Sequence, residues 1–210
     1  MSRVLYIKAS PRGGRSKSIA VADAFIAEYK KHHPDDEIEV FDLFEADLPS
    51  FDGLTVQAKY TIMHGKEHTD AELKAWRRVE ELIEHFKSAD KYVLAVPMWN
   101  FGISYRLKQY IDILVQPGYA FTYSPEEGYK GLITGRPLFV AYARGGAYGE
   151  GTGSDALDYQ KKYIEVIFPF MGFTDIRPVV VEPTLQGGEA TAKQVLEQGI
   201  DRARQLAPAF

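Results

Sequence analysis

Strand-like and helix-like segments alternate along this chain of 210 residues, and the alternation constrains its fold more than any other feature. Such alternation is typical of βαβ units and predicts an α/β fold around a parallel sheet. Predicted strands lie at residues 3–9, 37–43, 91–97, 137–143 and 174–182. Predicted helices lie at residues 18–32, 70–87, from 104 onwards, 155–169 and 189–207, and residues 44–69 are expected to be irregular. We expect residues 1–210 to form one domain with an excursion at about 116–137.

The composition of the five strands predicts their order in the sheet. The first, third and fourth are nearly continuous apolar runs, as expected of strands covered by helices on both faces. The second alternates polar and apolar residues, and the fifth contains Pro178, which cannot donate a ladder hydrogen bond and belongs at an edge. Placing these two strands outside gives the order 2-1-3-4-5. This is the flavodoxin-like doubly wound arrangement, whose ligand crevice lies at the carboxyl ends of strands one and three.

Several classes of protein are disfavoured by the composition. The chain has no cysteine, so it has neither disulfides nor a thiolate nucleophile. A net charge of −4 does not favour a nucleic-acid or anionic-membrane partner. No apolar run approaches the ~18 residues that would span a bilayer, and the first ten residues resemble a strand more than a signal peptide. We therefore expect a cytoplasmic protein with no nucleic-acid or membrane partner.

The loop after the first strand, Ser10 to Ser18, has the composition of a phosphate-binding loop. It combines serine hydroxyls, two glycines and the start of a helix, whose free N–H groups and positive end favour an anion. Arg12, Arg15 and Lys17 add positive charge to an otherwise acidic chain. The loop lacks the Gly-Lys-Ser/Thr of a Walker motif, and taken alone it fits a flexible turn with a good helix cap better than a phosphate site; its place after the first strand of the sheet favours the phosphate.

The loop after the third strand carries large aromatic side chains where a strand-to-helix turn usually has small polar ones. In the stretch PMWNFG, Trp99 and Phe101 flank Asn100. Aromatic rings there would pack on a planar ligand while the amide reads its polar edge. The alternative is an ordinary hydrophobic lid on the following helix.

The loop after the fourth strand, residues 143–155, is rich in glycine, which lets backbone N–H groups approach a ligand closely. Gly151, Gly153 and Ala156 match a dinucleotide fingerprint, but they follow the strand too late for that assignment. No metal site is expected, because His64 and His68 lack further ligands nearby. A hydrolase is disfavoured because the chain has no G-x-S-x-G nucleophile motif.

Taken together, these loops resemble those of a known family. The segments SPRGGRSKS, PMWNFGISYRLKQYID, PGYAFTYSPEEGYKGLITGRP, ARGG and FPFMGFTDI, in this order, are similar to those of the FMN-dependent NADH azoreductases, relatives of the flavodoxin-like NAD(P)H:quinone reductases. The resemblance covers essentially the whole chain. Trp99 and Ala143 depart from it, since many relatives have tyrosine and serine there.

The resemblance implies a homodimer with one non-covalent FMN per subunit, bound near the subunit interface. It implies substrate contacts from Phe121, Tyr123 and Phe170. The implied cofactor-binding residues are Ser10, Ser16, Lys17, Ser18, Met98, Trp99, Asn100, Phe101, Ala143, Arg144, Gly145 and Gly146.

The implied activity is two-electron, ping-pong reduction of quinones and reductive cleavage of aromatic azo compounds, with NADH or NADPH as the donor. The flavin carries the hydride, so no side chain is nominated as a catalytic acid or base. The alternative is a flavodoxin-type electron carrier with no turnover of its own. For the excursion at residues 116–137 we expect an aromatic hairpin arm that supports a two-fold dimer; the alternative is a segment folded back on its own subunit.

Overall fold

The computed structural model describes all residues from 1 to 210 and contains seven strands and six α-helices. In chain order these are β1 (Arg3–Lys8), α1 (Lys17–His32), β2 (Glu37–Asp42), α2 (Gly53–Met63), α3 (Asp70–Lys87), β3 (Lys91–Pro97), α4 (Tyr105–Leu114), β4 (Phe121–Ser124), β5 (Gly128–Gly131), β6 (Leu138–Ala143), α5 (Lys161–Met171), β7 (Ile176–Val181) and α6 (Gly188–Leu206). Short 3-10 turns cover Gly13–Arg15, Asp155–Leu157 and Ala207–Ala209. None of the helices is both long enough and apolar enough to cross a bilayer.

Five strands form one parallel sheet in the order β2-β1-β3-β6-β7, which confirms the predicted flavodoxin-like order. The interior strands are buried along almost their full length, whereas β2 has no fully buried residue. Pro178 lies in the edge strand β7 opposite Val140. An edge position tolerates proline because one side of the strand has no ladder partner.

Helices cover both faces of the sheet and create two separate hydrophobic cores. Alternate residues of each central strand point to opposite faces, so Leu94 and Val96 join one core while Val93 and Ala95 join the other. Helices α3, α4 and α5 contribute to the first core, and α1 and α6 contribute to the second. This two-sided burial is why the central strands read as continuous apolar runs.

Two elements differ from the sequence-based expectation. The stretch expected to be irregular contains α2, which starts after Asp52, whose side chain accepts the Thr55 N–H at 3.0 Å. Its buried face is made of the small residues Thr55, Ala58 and Thr61, so it lacks the apolar stripe that identifies a helix in sequence. Helix α5 begins at Lys161 and not near residue 155. At this start, the Asp158 carboxylate accepts the Lys161 N–H at 2.9 Å.

The excursion contains the antiparallel hairpin β4–β5. The base of the hairpin packs on its own chain: a Cβ atom on Gly131 would lie 2.3 Å from the backbone nitrogen of Gly172, just after α5. Tyr123 and Tyr129 remain 62% and 66% exposed. The hairpin is therefore anchored to its own subunit and presents two aromatic rings outward; whether it supports a dimer stays a prediction.

Candidate functional site

A cleft of about 120 Å³ lies at the carboxyl ends of β1, β3 and β6, at the predicted crevice. The sequence-predicted cofactor residues in its lining are Ser10, Ser16, Lys17, Met98, Trp99, Ala143 and Gly145. Arg12, Pro97, Thr184 and Leu185 complete it. Ser18, Asn100, Phe101, Arg144 and Gly146 adjoin these residues in the chain but do not line the cleft. The structure thus brings all three predicted loops to one place.

The serine loop ends in the first turn of α1, where two backbone donors are free. Ser16 caps the helix, and its hydroxyl lies 3.1 Å from that of the buried Ser18. The N–H groups of Lys17 and Ser18 have no acceptor within the chain. Free N–H groups at the start of a 16-residue helix favour an anion.

Positive side chains surround the same loop without being neutralised. The nearest ion pairs along the chain are Lys8 with Asp23 and Lys31 with Glu28. The intervening Arg12, Arg15 and Lys17 form none. Three unpaired cations beside a free helix N-terminus give this end of the cleft the charge that favours an anion; the binding of a phosphate there stays a prediction.

The aromatic turn after β3 is a tight two-residue hairpin. Trp99 and Gly102 exchange two backbone hydrogen bonds of 2.9 Å, and the two residues between them have positive φ angles, 47° at Asn100 and 69° at Phe101. Asparagine tolerates this region, but for phenylalanine it costs about 1–2 kcal/mol. Residues held in such conformations cluster at ligand sites, so the strain at Phe101 points to a function for this turn.

The environment of the turn shows what holds it. The Phe101 carbonyl accepts the Tyr159 N–H at 3.0 Å, and the Phe101 ring meets Tyr148 edge-on at 6.0 Å. The ring remains 43% exposed. Trp99 packs against both Phe44 and Tyr105, at centroid distances of 5.9 and 6.1 Å, and those two rings also contact each other at 5.8 Å. The turn thus brings Trp99 into the cleft lining and holds the half-exposed Phe101 ring next to it in the chain.

The glycine loop after β6 offers a second group of free donors. The N–H of Arg144 donates to the Val181 carbonyl at 3.0 Å, and that of Tyr148 donates to Glu182 Oε2 at 2.8 Å. Between these two fixed points, the N–H groups of Gly145, Gly146 and Ala147 have no acceptor within the chain. A Cβ atom on Gly145 would lie 3.0 Å from the Leu185 side chain, so glycine keeps the loop close to its neighbour.

The side chain of Arg144 lies beneath this loop and does not reach the cleft. It is 1% exposed and bonds to Asp158, Gln160 and Glu182. Its backbone carbonyl accepts both the N–H and the hydroxyl of Thr184 at 2.8 Å. With these groups engaged inside the protein, a direct contact from Arg144 to a cofactor stays a prediction that the side-chain geometry does not favour.

Two buried tyrosines near the strand ends are neutral. Burial raises the pKa of Tyr142, just before Ala143, well above its usual value. Burial, together with the charge of Asp23, likewise raises the pKa of Tyr6 in β1. Neither phenol ionises at neutral pH, so both stay uncharged in the hydrophobic cores on either side of the sheet.

The predicted substrate residues Phe121, Tyr123 and Phe170 lie elsewhere on the chain. Phe121 contacts Phe170 at a centroid distance of 4.7 Å, forming a cluster with the hairpin. Helix α5 begins near the carboxyl ends of the strands, where the cleft lies. Its 11 residues carry the chain about 16 Å toward the amino ends of the strands, so Phe170 lies far from the cleft. Within one chain, therefore, the two predicted sets of site residues do not meet.

Sequence reasoning overlooked Thr184 and Leu185. They follow β7, whose carboxyl end reaches the same sheet edge as the other strands. A signal was present, because Pro183 and the pair Gly187 and Gly188 mark an irregular loop there.

Comparisons with known proteins agree with this geometry. A family model described as a flavodoxin-like fold matches residues 2–207. A protein of Nitratidesulfovibrio vulgaris (strain DP4) named FMN-dependent NADH:quinone oxidoreductase is 53% identical over 210 residues, covering 100% of both chains. One of the same name from Desulfotalea psychrophila is 47% identical over 185 residues, covering 88% of this chain and 87% of that one.

Solved structures show the same similarity. The azoreductase from Bacillus anthracis str. Sterne superposes with a TM-score of 0.90 at 32% identity, covering 100% of both chains. An FMN-dependent NADH-azoreductase from Bacillus anthracis str. Ames Ancestor, in complex with FMN, superposes with a TM-score of 0.87 at 30% identity, covering 99% of this chain and 100% of that one.

Proposed function

The chain belongs to the flavodoxin-like family that includes the FMN-dependent NADH:quinone oxidoreductases, and on this premise we propose that it reduces quinones and aromatic azo compounds with NADH or NADPH. The observation that carries the proposal is the cleft with free backbone donors at two places and an aromatic turn beside them. This arrangement suits a ligand with a phosphate at one end and a planar, carbonyl-bearing ring at the other.

The residues present fit FMN. The Lys17 and Ser18 N–H groups and the Ser16 hydroxyl would hold the phosphate, with Arg12 and Lys17 adding charge. Gly145 and Gly146 would donate to the pyrimidine edge of the ring, and the turn from Met98 to Phe101 would lie along it. When bound, FMN supplies hydride transfer from the nicotinamide to the acceptor, and the protein supplies binding, orientation and electrostatics.

We infer that donor and acceptor share one site. The loops that carry the predicted cofactor residues lie together at the carboxyl ends of β1, β3 and β6. They would hold FMN along one side and leave the other face of its ring open. Nicotinamide and acceptor would then use that face in turn, which gives ping-pong kinetics.

A two-fold dimer would complete the site. Tyr105, Tyr159 and Val166 are 64%, 62% and 67% exposed, and they lie on α4, on α5 or just before it. Exposed apolar groups of this kind mark interaction surfaces. A two-fold contact with α5 antiparallel to its copy would bring the Phe170 end of one subunit to the cleft end of the other. Phe121, Tyr123 and Phe170 would then roof the flavin of the second copy.

The decisive experiment is to reconstitute the purified protein with FMN and add NADH or NADPH without oxygen. Loss of the visible flavin absorbance, followed by its return on adding menadione, is expected. Double-reciprocal plots with NADH and menadione should be parallel, and a simple azo dye should consume two NADH per bond cleaved because four electrons are needed. Intersecting plots would reject the shared site. A flavin that neither NADH nor NADPH reduces would leave the electron carrier as the better function. The cytoplasmic location stays a prediction.

A further inference from the structure

We propose that Arg144 is a positioning residue that aims the Gly145 and Gly146 N–H groups at the cofactor through a buried ion-pair cluster, and thereby sets the reduction potential of bound FMN. The inference rests on the proposed FMN site but adds a residue that acts without touching the ligand. The cluster consists of Arg144, Asp158, Gln160 and Glu182 and is called the arginine cluster below.

The guanidinium of Arg144 joins its own loop to two other segments, the residues just before α5 and the residue just after β7. Its Nη2 lies 2.7 Å from Asp158 Oδ2, its Nη1 lies 3.2 Å from Glu182 Oε2, and its Nε donates to Gln160 Oε1 at 2.9 Å. Asp158 and Gln160 are 5% and 0% exposed. Only the planar fork of arginine can address three acceptors in fixed directions.

Each partner of Arg144 holds a different part of the site. Gln160 donates to the Val96 carbonyl at 2.9 Å, close to the start of the aromatic turn. Asp158 accepts the first N–H of α5. Glu182 accepts the Tyr148 N–H at 2.8 Å, which fixes the far end of the glycine loop. The arginine cluster therefore connects the ends of β3, β6 and β7 with the start of α5.

The cluster fixes the glycine loop from both sides while leaving its centre free. Glu182 bonds to both the guanidinium and the Tyr148 N–H, so the residues before and after the two glycines share one anchor. Glu182 Oε1 would lie 2.9 Å from a Cβ atom on Gly149, so the carboxylate also fits closely beneath the loop. Gly145 and Gly146 thus have free N–H groups on a loop that the arginine cluster holds at both ends.

Preorganised donors of this kind stabilise negative charge that develops during a reaction. N–H groups fixed at the pyrimidine edge would favour the more electron-rich reduced flavin over the oxidised one. If the loop were loosened, that preference would fall even with the net charge unchanged. This effect separates a positioning role from a purely structural one.

The test compares Arg144→Lys with the wild-type protein. Lysine keeps the positive charge but loses the fork, so a change in potential reports geometry. We expect the midpoint potential of bound FMN to fall by about 30 mV, a tenfold loss of preference for the reduced form in a two-electron couple. We expect the dissociation constants of FMN and riboflavin to rise by a factor common to the two ligands, because only the ring end of the site is disturbed and both ligands carry the ring.

Arg177→Lys is the matched control. Arg177 also pairs with a carboxylate, that of Asp175 at 2.8 Å. It lies near the amino end of β7, whereas the cleft lies at the carboxyl ends of the strands. It should leave the potential and both dissociation constants unchanged. Gln160→Met provides a second, uncharged disturbance of the arginine cluster if Arg144→Lys does not fold, and it should lower the potential in the same direction.

The outcomes separate the two proposals. Variants that melt at a lower temperature but keep the wild-type potential and affinities would overturn the positioning role and leave Arg144 purely structural. A rise in the FMN dissociation constant without a rise for riboflavin would also overturn it, because the effect would then lie at the phosphate. A wild-type protein that binds no FMN would instead overturn the proposed function.

Discussion

Replacing Phe101 with glycine and with alanine separates the strain in the aromatic turn from the contacts of its ring. Both changes remove the same ring, which is 43% exposed, so each loses roughly half of the ~1.5–3 kcal/mol that a fully buried side chain contributes. The backbone angle of 69° remains unfavourable for alanine, at about 1–2 kcal/mol, and is accessible to glycine. Glycine also lowers the stability of the folded state by about 0.5–1 kcal/mol relative to alanine, because its unfolded chain has more conformational freedom to lose.

The expected result is a difference of about 1 kcal/mol between the two variants in the absence of cofactor. Phe101→Ala should be about 1 kcal/mol less stable than wild type, and Phe101→Gly should be close to wild type. Urea unfolding of the cofactor-free proteins, followed by circular dichroism, measures both free energies.

FMN affinity, unlike stability, should fall equally in the two variants, since both lose the same ring from the edge of the flavin. Each should bind FMN about five- to twentyfold more weakly, consistent with the loss of an aromatic contact and partial burial. Fluorescence quenching measures the affinity. Equal stabilities for the alanine and glycine variants would refute the strain argument, and unchanged FMN affinity in both would refute the role of the turn in holding the ring.

Three further predictions address other parts of the molecule. The double change Ser16→Ala, Ser18→Ala should weaken FMN far more than riboflavin, since each hydrogen bond to a charged group is worth about 1.5–3 kcal/mol; equal losses by fluorescence titration would place the phosphate elsewhere. Phe170→Ala should change the ratio of quinone to azo-dye turnover while leaving FMN affinity intact. Light scattering should show a dimer; a monomer at micromolar concentration would refute the proposal that Phe170 covers the flavin of a second subunit. The Ser2 N–H and then the Tyr29 hydroxyl bond to Asp36 and lower the pKa of its carboxyl. A lowered folded-state pKa contributes stability above the unfolded value, near 3.8, and loses it as the pH falls through the folded value. Asp36→Asn should therefore lower stability at neutral pH and flatten its acid-induced loss, measured by urea unfolding at a series of pH values.

The architecture could be predicted because strand composition reports local burial. Continuous apolar runs in β1, β3 and β6 result from helices on both faces, and Pro178 in β7 results from an edge. By contrast, α2 was not predicted, because its buried face uses Thr55 and Ala58, and small residues give no periodic apolar signal.

The sequence by itself determined which loops would meet, because parallel strands place their carboxyl ends at one edge of the sheet. It also supplied the residue types of a phosphate-binding loop and an aromatic turn. Only the tertiary structure decided which groups in those loops are free. The side chain of Arg144, next to two glycines in the chain, could point to a ligand or to the interior. Its burial against Asp158 and Glu182, which lie 14 and 38 residues away, leaves the backbone N–H groups of Gly145, Gly146 and Ala147 as the free donors of the loop. Sequence patterns report local periodicity and composition, whereas the partner of a charged side chain depends on contacts between segments far apart in the chain.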